Sequence, residues 1–336
     1  MDEALFVNEV EIWAKKNGSF KRHRFFRTSG SSGREKWVAL SDEALEWSAR
    51  SVIGALGIVS KDVLGLALPV IHVGGYGMIL RAEISGASLV KSEARWNAGG
   101  FADWCDVNRV TITSLVPTQV YDLVSARLEC PTSMRTLVVG GGALDVELAR
   151  KARGLGWPVV PSYGMTETSS QVATGDGLPL LQGWEAKIVE GRLALKGDGL
   201  LSAIILRKGD GFFAEDPKID GWYVTNDRCE LIGKGLRVSG RADRLVKILG
   251  ELVNLEELEE FWRGKLKCEV ALVARPNERR GVSLFLFYEG IEVDLARWNT
   301  SLPGPERVTE AIAIDLLPRS VLGKIDRLAL IDFHKD

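Results

Sequence analysis

Short apolar runs, each closed by glycine or proline and followed by a helical repeat, leave this chain few folds to choose from. The clearest case is Leu137-Val138-Val139, a run that reads as a buried strand. Gly140-Gly141-Gly142 turns the chain, and Asp145 is placed to cap a helix whose apolar residues Val146, Leu148, Ala149, Ala152 and Leu155 recur at near-helical spacing. Gly156 stops that helix, and Pro158-Val159-Val160 starts the next strand. Leu64 to Ile71 and Val110 to Thr113 read as further buried strands. Strand, glycine turn, helix, strand is the rhythm of an α/β sheet.

The texture changes near residue 176. From there to about residue 240 the segments are short and punctuated by glycine, and Ala186 to Leu195 looks like a hairpin with a two-residue turn. Beyond them, Asn254-Leu255-Glu256-Glu257 has a capping-box layout and opens a helix with Leu255, Leu258, Phe261 and Trp262 on one side. Strands over Val270–Val273 and Ser283–Phe287 follow. At 336 residues the chain is too long for one ordinary core. The expected fold is α/β: a large N-terminal α/β domain, residues 1–242, with a small β-rich subdomain, and a small mobile α+β C-terminal domain, residues 243–336. No internal repeat is visible.

Charge excludes some partners. Lys and Arg total 43 against 45 Asp and Glu, a net charge of -2 that supplies no field to gather nucleic acid or an anionic membrane. No run approaches the roughly 18 apolar residues of a membrane span, and the acidic start MDEALFVNEVEIW lacks the layout of a signal peptide. The cytoplasm is the expected compartment. Cys105, Cys130, Cys229 and Cys268 are too scattered for a disulfide framework or a zinc site.

Five segments carry chemistry. Thr28-Ser29-Gly30-Ser31-Ser32-Gly33-Arg34-Glu35-Lys36 packs hydroxyls and glycines ahead of a lysine, so that backbone N–H groups can turn around an anion while the lysine adds a point charge. Tyr163-Gly164-Met165-Thr166-Glu167-Thr168 follows a strand, where open α/β sheets place ligands, and offers a hydroxyl for phosphate and a carboxylate for magnesium. Gly221 to Asp227, Gly240-Arg241-Ala242-Asp243 and Gly323-Lys324 complete the series.

In this order the segments resemble the phosphate loop, YGxTE, TGD, GRxD and terminal GK motifs of the acyl-CoA synthetase, nonribosomal adenylation domain and luciferase superfamily. The resemblance spans residues 28 to 330. It implies that the chain activates a carboxylic acid with ATP as an acyl-AMP and passes the acyl group to coenzyme A. It further implies that Ser29, Ser31, Ser32 and Lys36 embrace the β- and γ-phosphates, with Gly30 and Gly33 shaping the loop. Thr166 would contact phosphate and Glu167 would hold magnesium. Gly140, Gly141 and Gly142, with Tyr163, would flank the adenine, and Asp227 and Arg241 would bind the ribose hydroxyls. Asp243 would be the hinge of the C-terminal domain. Lys324 would meet the charge gathering on the departing pyrophosphate. The segment Lys247-Ile248-Leu249-Gly250-Glu251 would shape the thiol tunnel once the C-terminal domain has turned.

Within that superfamily, Ser114 to Gln119 and the stretch from Pro161 to Thr174 look like the o-succinylbenzoate-CoA ligases of menaquinone biosynthesis. Arg81 falls where that group carries an arginine for the substrate's second carboxylate, and His72 matches a histidine lining the acyl pocket. Another aryl- or acyl-CoA ligase, an enzyme loading a carrier protein, and a non-catalytic nucleotide-binding homologue are the alternatives. Three positions depart from the family pattern: Asn226 for the glycine of TGD, Glu35 for a proline and Trp37 for a glycine. The phosphate loop also arrives early, at residue 28, so the sequence reads as an abbreviated member.

Overall fold

The computed structural model of the protein describes residues 9–16, 18, 20–29, 35–209, 211–249, 251–277, 281–290, 294–320, 325–331 and 333. They form two compact units, Met1–Thr225 with Glu230–Arg237, and Asn226–Cys229 with Val238–Asp336. The chain begins with α1 (Glu9–Lys16) and strands β1 (His23–Ser29) and β2 (Glu35–Ser41). An alternating series follows: α2 (Asp42–Leu56), β3 (Val63–Leu66), α3 (Val73–Ser85), β4 (Ser88–Lys91), α4 (Ala98–Val107), β5 (Ile112–Leu115) and α5 (Pro117–Ser125). It continues through β6 (Thr136–Val139), α6 (Val146–Gly154), β7 (Val159–Met165) and β8 (Ser170–Thr174). Six strands come next: β9 (Glu185–Val189), β10 (Arg192–Lys196), β11 (Ala203–Lys208), β12 (Gly211–Glu215), β13 (Tyr223–Ile232) and β14 (Gly235–Arg241). The chain ends with β15 (Leu245–Ile248), β16 (Glu251–Asn254), α7 (Leu255–Leu266), β17 (Val270–Asn277), β18 (Gly281–Glu289), α8 (Leu295–Asn299), β19 (Glu310–Ile314) and α9 (Arg327–Ile331).

A six-stranded sheet of order β4-β3-β5-β6-β7-β8 frames the first unit. Its first five strands run parallel, with Leu64 opposite Ile112, Ile112 opposite Thr136, and Leu137 opposite Val159, and β8 is antiparallel to β7. Helices cover both faces, so every residue of β5 and β6 is buried. Leu64, Leu66 and Ile112 pack with Met78 and Ala82 of α3 and Ile53 of α2, whereas Leu115, Leu137, Val139 and Val159 pack with α4, α5 and α6. The expected cap at Asp145 forms, accepting from the Leu148 N–H at 2.8 Å to open α6. Ser41, not marked out in the sequence, caps α2 by accepting from the Ala44 N–H.

Strand limits differ from the sequence reading in several places, and β17 and β18, at Val270–Asn277 and Gly281–Glu289, are both longer than expected. The run from Leu64 ends as a strand at Leu66, because Pro69 has no N–H for the ladder and the chain turns there into α3. β5 runs from Ile112 to Leu115, two residues later than expected. β7 continues to Met165, so Tyr163 and Gly164 lie in a strand with a bulge between them, and the loop is shorter than the sequence suggested.

A second, antiparallel sheet of order β1-β2-β11-β12 packs one face on Leu45 and Val73 and the other on Val10. Trp37, one of the family departures, is buried there against Phe212 as a core residue. The expected hairpin is β9 and β10, where Val189 pairs with Arg192. Its turn residues Glu190 and Gly191 both have positive φ, 51° and 74°, as a tight hairpin of this hand requires. All four cysteines are free, two of them buried. No helix among the described residues is long and apolar enough to cross a membrane.

In the second unit, Asn254 caps α7 by accepting from the Glu256 N–H at 3.0 Å, and Leu255, Leu258 and Trp262 face the core. The sheet of order β17-β18-β19 packs against them with Leu272 and Leu286.

At the amino ends of the parallel strands one buried carboxylate gathers several donors. Asp62 accepts from Arg135 Nε and Nη2 at 2.9 and 2.8 Å, from the Thr111 hydroxyl at 2.9 Å and from the Val59 N–H at 2.9 Å. Arg135 also donates to the carbonyls of Leu56 and Gly57, which ties the end of α2 to the starts of β3, β5 and β6. The Arg135 hydrogen bonds, above all, hold the Asp62 carboxyl down to about 2, below its ordinary 3.8. A depressed acid stabilises the fold above its unfolded value and stops doing so as pH falls through its folded value. Asp62→Asn should therefore cost about 2–3 kcal/mol at pH 7, reduced from a fully buried pair because Arg135 is 39% exposed. The gap between wild type and variant should close between about pH 4 and pH 2, read from urea melts across that range.

Candidate active site

Parallel strands deliver their carboxyl ends to one edge of a sheet, and four of the predicted segments leave from that edge. The turn after β3 leads to His72, which stands just before α3 with an extended backbone (φ -111°) and does not cap the helix with its side chain. After β5, Val116 and Pro117 begin α5, and Gln119 Oε1 accepts from the Val116 N–H at 3.0 Å. Gly140 to Gly142 leave β6 against this segment and against β7. A Cβ on Gly140 would strike the Ser162 hydroxyl, and those of Gly141 and Gly142 would touch Val116 and Pro117 at 3.5 and 3.6 Å. The glycine turn thus lies against Ser162, the residue before Tyr163 in β7.

β7 ends in a bulge and a short helical turn, Thr166–Thr168. Gly164 has no room for a side chain, since a Cβ would fall on the Ser170 carbonyl oxygen. The Thr168 hydroxyl donates to the carbonyls of Met165 and Ser170 and accepts from the Met165 N–H at 3.1 Å, closing the turn on itself. This turn presents Glu167 to Lys36 on β2, with Nζ 2.9 Å from Oε1 across 131 residues of sequence. The Leu201 N–H holds the Glu167 carbonyl at 2.9 Å, and Lys218 Nζ donates to the Leu201 carbonyl at 2.6 Å. So the phosphate-loop lysine and the expected magnesium ligand are neighbours. Among the described residues no group of three or more His, Cys, Asp and Glu is placed to hold a metal. A magnesium ion at Glu167 would therefore take most of its ligands from water and phosphate, which is its usual habit. Ser29 ends β1 opposite Glu35; Gly30, Ser31, Ser32 and Gly33 lie outside the described residues.

Arg81 sits two turns into α3 and is 2% exposed. A helical side chain leans back over the preceding turn, and here the guanidinium lies over Gly77, where a Cβ would stand 2.8 Å from Nη2. Nη2 donates to the Ser170 hydroxyl at 3.3 Å and Nη1 points at the Met78 sulfur at 3.2 Å. Nε has no hydrogen-bond partner among the described residues, and none of their carboxylates forms an ion pair with this guanidinium. Burial pushes the guanidinium down to about 10, so it remains charged at neutral pH. The hydroxyl of Ser169, the residue before Ser170, is likewise buried without a partner among the described residues. Ser169 and Ser170 have φ of 54° and 121°, a left-handed pair that non-glycine residues rarely adopt.

The remaining predicted residues belong to the second unit. Asp227, on β13, is 8% exposed and lies 3.4 Å from Arg241 Nη1 at the end of β14, so the two expected ribose ligands are neighbours. Asp243 is in the helical turn Ala242–Arg244. Two carboxylates of α7, three residues apart and so on one face, hold the residues around it: Glu256 accepts from the Arg241 N–H at 2.9 Å, and Glu259 binds Arg244 Nη2 at 2.6 Å. Lys247, Ile248, Leu249 and Glu251 belong to the β15–β16 hairpin. Lys324 and Gly250 lie outside the described residues.

Sequence reasoning missed Ser170, Met78 and the Glu256–Glu259 pair. Gly77, four residues before Arg81, was the available signal for Met78, because it lets the side chain fold back along its own helix, and nothing local pointed to Ser170. Nothing local marks Glu259 out from the other acids of α7.

Comparison with known proteins places this geometry. The AMP-binding enzyme family profile matches residues 25–193. The 2-succinylbenzoate–CoA ligase of Bacillus subtilis is 30% identical over 363 aligned residues, covering 100% of this chain and 73% of that protein. The solved o-succinylbenzoate CoA synthetase of Bacillus subtilis in complex with its acyl-adenylate intermediate superposes with a TM-score of 0.80 at 25% identity, over 92% of this chain and 68% of that one. The same enzyme in complex with ATP and magnesium ion gives 0.79 at 25% identity, over 92% and 69%.

The bulge supports a prediction. Gly164→Ala should cost about 3 kcal/mol or more, since the added carbon meets the Ser170–Gln171 backbone and cannot be relieved by a rotamer. Gly264→Ala, inside α7 with open space around its Cβ position, should instead gain about 0.5–1 kcal/mol. Denaturant midpoints of the two variants measure both.

Proposed function

Because the chain belongs to the AMP-binding enzyme family, we propose that it is an ATP-dependent acyl-CoA ligase that adenylates o-succinylbenzoate and transfers the acyl group to coenzyme A. One observation carries the choice of acid: Arg81 is a buried, charged guanidinium to which no described residue supplies a carboxylate. An uncompensated buried charge costs several kcal/mol. A dicarboxylic substrate offsets that cost by bringing the missing anion on the carboxylate that does not react.

In the first step a carboxylate oxygen of the acid bonds to the α-phosphorus of ATP. The bond to the bridging oxygen breaks, and pyrophosphate leaves with the electron pair. The acid is ionised at neutral pH and needs no base. Lys36, with Ser29, Ser31 and Ser32 of its loop, neutralises the β- and γ-phosphates, and Thr166 adds a hydroxyl. Glu167 would hold magnesium, whose charge offsets that of the phosphates. Since Glu167 and Lys36 already face each other, both stand beside one phosphate chain. Gly140, Gly141 and Gly142 with Tyr163 give the adenine a flat, narrow seat, and His72 packs by the acyl group. Asp227 accepts from the ribose hydroxyls, and Arg241, 3.4 Å from it, binds them as well. Lys324 meets the charge of the leaving pyrophosphate. In the second step the thiol of coenzyme A attacks the acyl carbon, AMP leaves with the electron pair, and the thiol proton passes to solvent. Lysine and thiol need the same space, so the C-terminal domain, residues 243–336, turns about Asp243 between the steps.

The test compares o-succinylbenzoate with a monocarboxylate lacking its remote acid. Arg81→Ala should raise KM for the dicarboxylate roughly 10- to 100-fold, a loss of about 1.4–3 kcal/mol, with ATP affinity retained. Arg81→Lys should recover part of it, since the charge stays and the fork is lost. Equal effects on both acids, or a wild-type preference for the monocarboxylate, would sink the assignment of the acid. Asp227→Ala should weaken ATP binding by about 1.5–3 kcal/mol for each charge-assisted bond lost, measured by calorimetry. An unchanged ATP dissociation constant would move the ribose site elsewhere.

A further inference from the structure

Glu259 is 3% exposed, and its carboxylate accepts four hydrogen bonds from described residues. Oε1 receives Arg244 Nη2 at 2.6 Å, the Leu272 N–H at 2.7 Å and Arg327 Nε at 3.0 Å, and Oε2 receives Arg327 Nη2 at 2.7 Å. Four segments therefore meet on one side chain: the turn after β14, helix α7, strand β17 and helix α9. Two of them have a particular place in the chain. Arg244 directly follows Asp243, and Arg327 comes three residues after Lys324.

The described residues on either side of the Lys324 loop are fastened at its root. Arg319 and Ile325 form an antiparallel bridge, the Asp326 N–H donates to the Pro318 carbonyl at 2.7 Å, and Arg319 pairs with Glu269 at 3.6 Å. The next residue beyond that root is Arg327, gripped by both Glu259 oxygens. A two-point arginine–carboxylate contact fixes orientation as well as distance. A buried carboxylate between two guanidiniums is also a poor way merely to gain stability, since well-packed apolar residues do as well or better.

From this geometry we infer that Glu259 is a positioning residue for acyl-adenylate formation: through Arg244 and Arg327 it locks the turn at Asp243 to the described residues that follow Lys324, so that rotation at the turn carries this attachment point with it. The inference rests on the reading of Asp243 as hinge and Lys324 as the adenylation lysine. Thioester formation, from which the lysine is withdrawn, does not depend on the lock.

The test uses the full chain and measures the two half-reactions separately, acyl-AMP formation from acid and ATP, and thioester formation from pre-made acyl-AMP and coenzyme A. Arg327→Met keeps the arginine's bulk and leaves the Arg244–Glu259 pair in place. It should lower kcat for acyl-AMP formation by roughly 10- to 100-fold, the scale of a small misplacement of a reacting group, with thioester formation within about twofold of wild type. Arg327→Lys, which keeps the charge without the fork, should fall between. A merely structural salt bridge would lower both half-reactions together with the melting temperature, and that parallel loss overturns the proposal, as does no loss in either. Lys324→Ala is the control. If it abolishes acyl-AMP formation while Arg327→Met does not, the lock fails and the functional reading stands. If wild type forms no acyl-AMP from any acid, the functional reading falls and takes the lock with it.

Discussion

A parallel sheet covered by helices on both faces has only its two ends open to loops, and everything else in the first unit follows from that constraint. Side chains of β3, β5, β6 and β7 are committed to the two cores. Chemistry can therefore be placed only where the strands stop. At the amino ends, Asp62 and Arg135 close the sheet with a network of charged hydrogen bonds. At the carboxyl ends, glycines bring backbone from different loops into contact, and Gly140 and Gly164 are required there because the neighbouring chain already occupies the space of a side chain.

The same edge explains how residues far apart in sequence become one site. Lys36 comes from an antiparallel sheet that packs beside the parallel one, and Glu167 from the turn where β7 ends. They meet because β2 is paired on one side with β1 and on the other with β11, and Leu201, two residues before β11, holds the Glu167 carbonyl. Arg81 reaches the edge by a different route, folded back along its own helix over Gly77. Packing among the described residues does not explain its charge. A core of this size would be more stable with leucine at the position, so an arginine there points to something the chain binds.

In the second unit the organising element is α7. Its apolar face, with Leu255, Leu258 and Trp262, builds the small core, and its Glu256 and Glu259 hold the residues on either side of Asp243. One helix thus supports the core and fixes the turn, which makes the turn's geometry depend on the fold of the whole small unit.

How much of this could be read beforehand depends on the distance over which each feature is determined. The strand–helix rhythm, the Asp145 and Asn254 caps, the Glu190–Gly191 hairpin turn and the membership implied by ordered motifs were legible, because each depends on residues within a turn or a short loop of one another. Strand ends were less so: a ladder stops where its partner stops, as at Leu66, and β7 runs on to Met165 because β8 is there to pair with it. Long-range contacts were not legible at all. That Lys36 meets Glu167, that Ser170 in a left-handed conformation receives Arg81, and that Glu259 joins Arg244 to Arg327 are outcomes of how distant segments pack. The sequence by itself determined the elements and the chemical groups available. Tertiary structure decided which of those groups lost water and met each other, since burial and distance, which set the energy of a charge, are properties of the packed chain alone.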